Sequence, residues 1–194
     1  MPFLFTIGHS SHEMEPFLRL LAMHRVDAVA DVRSQPYSRR YARFSREALA
    51  EKLVGAGIRY AFLGRELGAR REESECYVGN AVCFDRVAAL PLFASGLARL
   101  KKGLASYRIA LLCAERDPLD CHRTILVARH AARFATVSHI LPDGALETHA
   151  EAEERLLQQY GRGETELFTS REHRLTEAYT RRAAEIAWSN DRAK

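Results

Sequence analysis

No run of apolar residues in this chain approaches the roughly 18 that a membrane-spanning helix requires, so a bilayer-embedded protein and a membrane partner are not expected. The opening MPFLFTIGHS lacks the basic start, extended apolar core and small-residue cleavage site of an export signal, which leads to a cytoplasmic expectation. Cysteine is sparse: Cys76, Cys83, Cys113 and Cys121 are the four present, and in a reducing compartment they do not make a disulfide framework. There is no internal repeat or low-complexity tract, which removes solenoid and disordered classes. Nor is there a Walker loop, a dinucleotide fingerprint, a zinc-helix motif or a serine-hydrolase elbow, so none of those chemistries has its usual frame. Lysine is scarce as well. The net charge of +4 and the pI near 9.0 come almost wholly from arginine, which suits a phosphate-bearing partner but also follows from genome composition.

What remains is an ordinary globular composition. The 194 residues are 47% hydrophobic and 28% charged, with a mean hydropathy of -0.27, enough for one domain and an appendage. Short apolar runs alternate with segments of helical period, the pattern of an α/β domain. Five strands are expected, at Phe3 to Ile7, Asp27 to Val32, Ile58 to Leu63, Arg108 to Cys113 and Thr136 to Leu141, in a mostly parallel sheet flanked by helices in a Rossmann-like three-layer arrangement. Met14, Phe17, Leu18 and Leu21 mark a first helix; Pro16 argues that it begins near Glu13 rather than at a Ser10 cap. Ser45 is the expected cap of the second helix, Phe84 to Lys101 carries a third that Pro91 can interrupt, and Asp120 is the expected cap of the fourth. The stretches Arg33 to Phe44 and Gly64 to Cys83 read as long loops, the kind that bind or move. Residues 1–146 are expected to form the α/β domain, and 147–194 a helical extension whose two amphipathic segments are split by the breaker GRGE. Its stripe of Leu175, Ala178, Tyr179, Ala183 and Ile186 packs on the domain or pairs two copies of the chain.

In open parallel sheets, ligands sit beyond the carboxyl ends of the strands. His9 and Ser10 follow the first strand, Asp31 and Arg33 close the second, and Cys113, Glu115, Cys121, His122 and Arg123 follow the fourth. Three separate segments therefore send ionisable groups to one end of one sheet. Cys121 to Arg123 are expected in a first helical turn, where free N–H groups favour an anion and lower a thiol's pKa. Arg123 and Arg33 are candidate grips on phosphate. Downstream of Arg33, Tyr37, Arg39, Arg40, Tyr41, Arg43 and Phe44 mix basic and aromatic side chains suited to phosphate contact and base stacking.

TIGHS at 6–10, DVRSQPYS at 31–38, GIRY at 57–60, LGRELG at 63–68, LLCAERDPLDCHR at 111–123 and HI with Gly144 resemble the family called domain of unknown function 488, over about residues 3–145. The resemblance implies an α/β domain with a site around His9, Ser10, Asp31, Arg33, Cys113, Glu115, Cys121, His122 and Arg123. It implies no reaction.

The leading expectation is an enzyme, a hydrolase or transferase, acting on a phosphate-containing nucleotide or nucleic acid. Ser10, Arg33, Cys121, His122 and Arg123 would bind the ligand, and Cys113, Glu115, Asp31 and His9 would carry the chemistry as nucleophile, acid or base. No cofactor is called for. Three alternatives stay open: thiol redox or sulfur transfer at Cys113 and Cys121, a metal site from Cys113, Cys121, His122 and His9, and a nucleic-acid binding module without catalysis.

Overall fold

The structure, a computed structural model, describes residues 1–38, 40–161 and 169–189. Its centre is a six-stranded sheet in the order β3-β2-β6-β1-β7-β8. The strands are β1 (Phe3–Gly8), β2 (Ala28–Asp31), β3 (Arg59–Phe62), β6 (Ile109–Cys113), β7 (Thr136–Ile140) and β8 (Leu146–Thr148). The first five are parallel, and β8 returns antiparallel to β7. The sheet therefore has six strands rather than the five expected: β8 is three residues long, carries no apolar run and turns back at Gly144, whose φ is +90°. Between β3 and β6 the expected loop is itself structured. It holds α3 (Gly64–Leu67), a 3-10 turn (Ser74–Cys76) and a hairpin of β4 (Tyr77–Val78) and β5 (Ala81–Val82).

The helices follow local chemistry. α1 (Met14–Met23) starts after Glu13, as the Pro16 argument requires, and buries Phe17, Leu20 and Leu21. α2 (Arg46–Gly55) starts after Ser45, whose side chain makes no capping bond. The third expected helix is two: α4 (Phe84–Ala88) stops, and α5 (Pro91–Leu104) begins with Pro91 in its first turn, where a missing N–H costs nothing. A buried π-helical stretch (Arg123–Ala128) runs into α6 (Arg129–Ala131). Thr148 and Glu151 form a capping box at the start of α7 (His149–Gln159), and Ser170 caps α8 (Arg171–Ile186). In the breaker GRGE, only Gly161 lies within the described residues, and Arg39 lies outside them.

Strand alternation sorts the core into two clusters, one on each face of the sheet. Leu4, Ala28, Ala30, Ile109, Leu111 and Val137 join one, and Phe5, Ile7, Val29, Ala110, Leu112 and Ile140 join the other. The first cluster also takes in Ala152, Leu156 and Leu157 of α7 and Ala178 and Tyr179 of α8, with Leu175, Ala183 and Ile186 packed against it. The apolar stripe of α8 is thus turned onto the α/β core. Among the described residues no helix is long and apolar enough to cross a membrane.

Candidate active site

β6 pairs along its full length with Leu4–Gly8 of β1, and the pairing runs past their ends: His9 N–H donates to the Cys113 carbonyl at 2.9 Å and Ser10 N–H to the Ala114 carbonyl at 2.8 Å. The same alternation that divides the core then divides the expected site. Gly8 and Cys113 are cross-strand neighbours and follow Thr6 and Leu111 on one face, whereas His9, Asp31 and Arg33 continue the other face. All these residues stand at one end of the sheet, but they do not form one cluster.

On the second face, Arg33 grips Asp31 with Nε at 2.9 Å and Nη2 at 2.6 Å, and its Nη1 donates to the Phe44 carbonyl at 2.9 Å. Tyr60 donates to the same carboxylate at 2.8 Å, which, with burial as the larger cause, pushes the phenol well above its usual range. Asp31 and Arg33 are both buried, and their donors and acceptors are committed to each other and to the frame. A buried carboxylate needs a permanent partner, and Arg33 is that partner while its side chain also borders both cavities described below. His9 stacks on Phe44 with centroids 4.5 Å apart, and its Nδ1 lies 3.0 Å from the Ser10 carbonyl. Burial, then the charge of Arg33, lowers its pKa to about 4. Ser10 follows with a φ of +44°, the left-handed region that non-glycine residues seldom adopt.

On the first face stands a compact set of reactive groups. Cys113 Sγ is 3.6 Å from His122 Nδ1, Cys121 Sγ is 2.8 Å from Glu115 Oε2, and His122 Nε2 donates to the Val32 carbonyl at 3.0 Å. The sulfurs of Cys113 and Cys121 and one nitrogen of His122 all lie within 4.8 Å of one another, so these three side chains can hold a metal ion. The chain gathers them because Pro118–Asp120 forms a 3-10 turn and the helix restarts at His122. Asp120 does not cap that helix; its carboxylate pairs with Arg182. Cys121 takes the capping role. Its backbone is extended, its carbonyl accepts from the N–H groups of Thr124 and Ile125, and its Sγ accepts from Arg123 N–H at 3.4 Å.

The electrostatics separate the two sulfurs. Burial, then the adjoining Cys121 sulfur, drives the Cys113 thiol well above its ordinary pKa. Burial opposes ionisation of Cys121 too, but the Cys113 hydrogen bond, then Arg123 and His122, override it and hold this thiol well below its ordinary value. Burial would discharge His122, yet the Cys121 sulfur raises it. Glu115 reaches solvent through the cavity, but the protein atoms around its carboxyl and the Cys121 sulfur raise it above the ordinary carboxylate range.

Arg123 is entirely buried and directed inward. Its Nη1 donates to the Glu115 carbonyl at 2.7 Å, Nη2 to the Arg116 carbonyl at 3.3 Å and Nε to Thr6 Oγ1 at 3.4 Å. A guanidinium so engaged shapes the backbone of residues 115 and 116, and among the described residues it lines neither of the cavities below. Gly8 lets this happen, because a Cβ there would collide with the Glu115 carbonyl.

Two adjoining cavities open above this floor. One, of about 360 Å³, touches Cys113, Glu115, His122, Ser34, Arg70 and Trp188; the other, of about 430 Å³, touches His9, Ser10, Tyr37, Arg40, Tyr41 and Arg116. Arg33, Gln35, Arg70, Ala114 and Glu115 line both.

The family model described as domain of unknown function DUF488 matches residues 13–130, a span that includes DVRSQPYS, LGRELG and the segment from Cys113 to Arg123. The chain belongs to the DUF488 family. The TIGHS segment and the HI with Gly144 lie outside the matched span, and the family description carries no activity. No curated protein and no solved structure matches the chain. For this DUF488 protein, sequence reasoning placed Arg116 at this end of the sheet without giving it a role, and missed Arg70 as a cavity-lining cation. It also missed a buried chain of His139, His149 and Tyr179 behind the site. Arg70 lies two residues beyond LGRELG, and nothing in its spacing sets it apart from a surface arginine.

Proposed function

We propose that this DUF488 protein is an enzyme acting on a phosphate-bearing ligand of the nucleotide class, held in the paired cavities above Glu115. The observation that carries the reading is the make-up of the rim. Arg40, Arg70 and Arg116 line the cavities, and among the described residues no carboxylate pairs with any of them. Tyr37 and Tyr41 stand beside them, so cationic groups for phosphate and aromatic faces for a planar base adjoin in one place. Among the described residues Glu115 is the sole carboxylate lining the second cavity, and it is shared with the first. Its position between the arginine rim and the Cys113, Cys121 and His122 floor suits it to move a proton in hydrolysis or group transfer. In this reading the exposed arginines Arg40, Arg70 and Arg116 meet the ligand, and Arg33 and Arg123 hold the frame.

A panel of nucleoside mono- and diphosphates and short oligonucleotides tests the reading by ligand-detected NMR. Binding is expected to weaken about tenfold or more in Arg70→Ala and in Arg116→Ala, one lost charge-assisted contact each. Glu115→Gln is expected to retain binding and lose turnover. Equal affinity in the wild type and both arginine variants, across every phosphate ligand, sinks the proposal. Binding without turnover of any ligand points instead to a recognition module.

A further inference from the structure

We infer that Cys113, Cys121 and His122 form a site for a thiophilic divalent cation, zinc foremost, with its open side on the cavity. Three independent features point there. The first is spacing. A tetrahedral ion held at about 2.3 Å from sulfur and about 2.0–2.1 Å from nitrogen keeps those two donors roughly 3.6 Å apart. Cys113 Sγ and His122 Nδ1 are 3.6 Å apart, and all three donor atoms fall within 4.8 Å. The second is the orientation of the imidazole. Its Nε2–H is fixed on the Val32 carbonyl at 3.0 Å, which turns the Nδ1 lone pair toward the sulfurs, the arrangement that backbone carbonyls give to metal-ligating histidines. The third is support for the thiolates. Arg123 N–H points at Cys121 Sγ from 3.4 Å, and both cysteines are buried on rigid elements, one at the end of β6 and one at a helix start.

The set is also open in the right direction. Cys113 and His122 line the 360 Å³ cavity, and Glu115 Oε2 lies 2.8 Å from Cys121 Sγ. Three protein ligands with a fourth position facing a cavity is the pattern of catalytic zinc; a closed structural site has four. Binding replaces two protons: the one on Cys113 Sγ and the one between Cys121 and Glu115 leave to solvent as two sulfur–metal bonds form, and nothing is oxidised or reduced. His9, considered with this set from sequence, takes no part, because it projects from the opposite face and stacks on Phe44.

This inference stands apart from the nucleotide reading, since it concerns the floor of the site and not its arginine rim. It is tested on the full chain, reduced and freed of metal, by titration with Co²⁺ alone. One ion per chain is expected, with intense near-ultraviolet sulfur-to-metal absorption and tetrahedral visible bands that zinc then abolishes. Cys113→Ser and His122→Gln should weaken binding well over about 100-fold, beyond the roughly 10–100-fold typical of an outer-sphere loss, while Cys83→Ser and His9→Gln leave it unchanged. No sulfur-to-metal band, or equal affinity in Cys113→Ser and His122→Gln, overturns the site. Because buried substitutions can unfold the chain, the wild type supplies a second readout: zinc is expected to protect Cys113 and Cys121 from alkylation but not Cys83. Equal labelling with and without zinc overturns the site, as does a Cys113–Cys121 disulfide that forms as readily with zinc as without. Nucleotide binding measured on the same samples through Arg70 reports on the proposed function separately.

Discussion

Two clusters containing histidine lie on the same face of the sheet and share one arginine, yet one is sealed in the interior and the other borders a cavity. In the first, Arg123 Nε meets Thr6 Oγ1, which is 2.9 Å from His139 Nδ1; His139 Nε2 is 3.2 Å from His149 Nδ1, and His149 Nε2 is 3.2 Å from the Tyr179 hydroxyl, which donates to Glu153 at 3.2 Å. Every ring nitrogen has a partner, and the donors run in one direction from a guanidinium to a carboxylate, which assigns each tautomer. In the second, Cys113 meets His122 Nδ1 at 3.6 Å and adjoins the Cys121 sulfur, and the three donor atoms converge on a point beside an open cavity. The first is a sealed strut that ties β1, β7, α7 and α8 together. The second is the cluster inferred above to hold a metal ion. The first has two buried histidines in a chain that ends on a carboxylate; the second has one, half-buried, and what sets it apart is three metal-binding donor atoms converging beside a cavity.

The sharpest break of this comparison is at Arg123, which joins the clusters. Arg123→Met removes the donors to two backbone carbonyls and to Thr6, and is expected to cost on the order of 4 kcal/mol by urea unfolding, with both clusters disturbed. A loss below about 1 kcal/mol would show that it does not join them. Asp31→Asn leaves the Arg33 cation buried without its counter-charge, and should cost about 3 kcal/mol in the same assay while leaving Co²⁺ affinity unchanged. A coupled loss of metal affinity would mean that the two faces of the sheet do not act separately.

The strut makes a further prediction in pH. Burial, the largest cause in each case, lowers the folded pKa of His139 and His149 below 6.5, and that of His9 to about 4. The unfolded chain therefore takes up protons that the folded chain refuses, so stability is full above pH 6.5 and is lost as pH falls toward 4. Urea midpoints between pH 7 and pH 4.5 should decline, and His149→Gln should shallow the decline. A flat profile in the wild type would remove the neutral strut. Glu115→Gln is expected to change stability by less than about 1 kcal/mol, since its carboxyl faces the cavity. The smallest effect is expected of Ser10→Gly: release from a φ of +44° should gain about 0.5 kcal/mol after the entropy of glycine is set against it.

Much of the frame was legible in the chain. Apolar runs announced the five parallel strands, Pro91 marked where α4 ends and α5 begins, and Pro16 moved the start of α1 away from Ser10. Three residues of β8 carry no pattern of their own, because an edge strand with one exposed side need not be apolar. For the site, the sequence placed the right segments at one end of the sheet. It did not sort them by face, although period-two alternation from Phe5 and Ile7 to His9 already held that information. The commitment of Arg33 and Arg123 to the interior was not legible, since a buried guanidinium and a ligand-binding one read alike in sequence. The strut was invisible for another reason: positions 6, 139, 149 and 179 meet only once β1, β7, α7 and α8 are assembled.

The most direct test of the contrast is a chemical-shift map of the full chain titrated with nucleoside monophosphates. Perturbations centred on Arg70, Glu115 and Arg116, with His139, His149 and Tyr179 unmoved, are the result expected if the open cluster is the reactive centre and the closed one its support. Shifts concentrated on the strut, or none anywhere at saturating concentrations of all four bases, would contradict it.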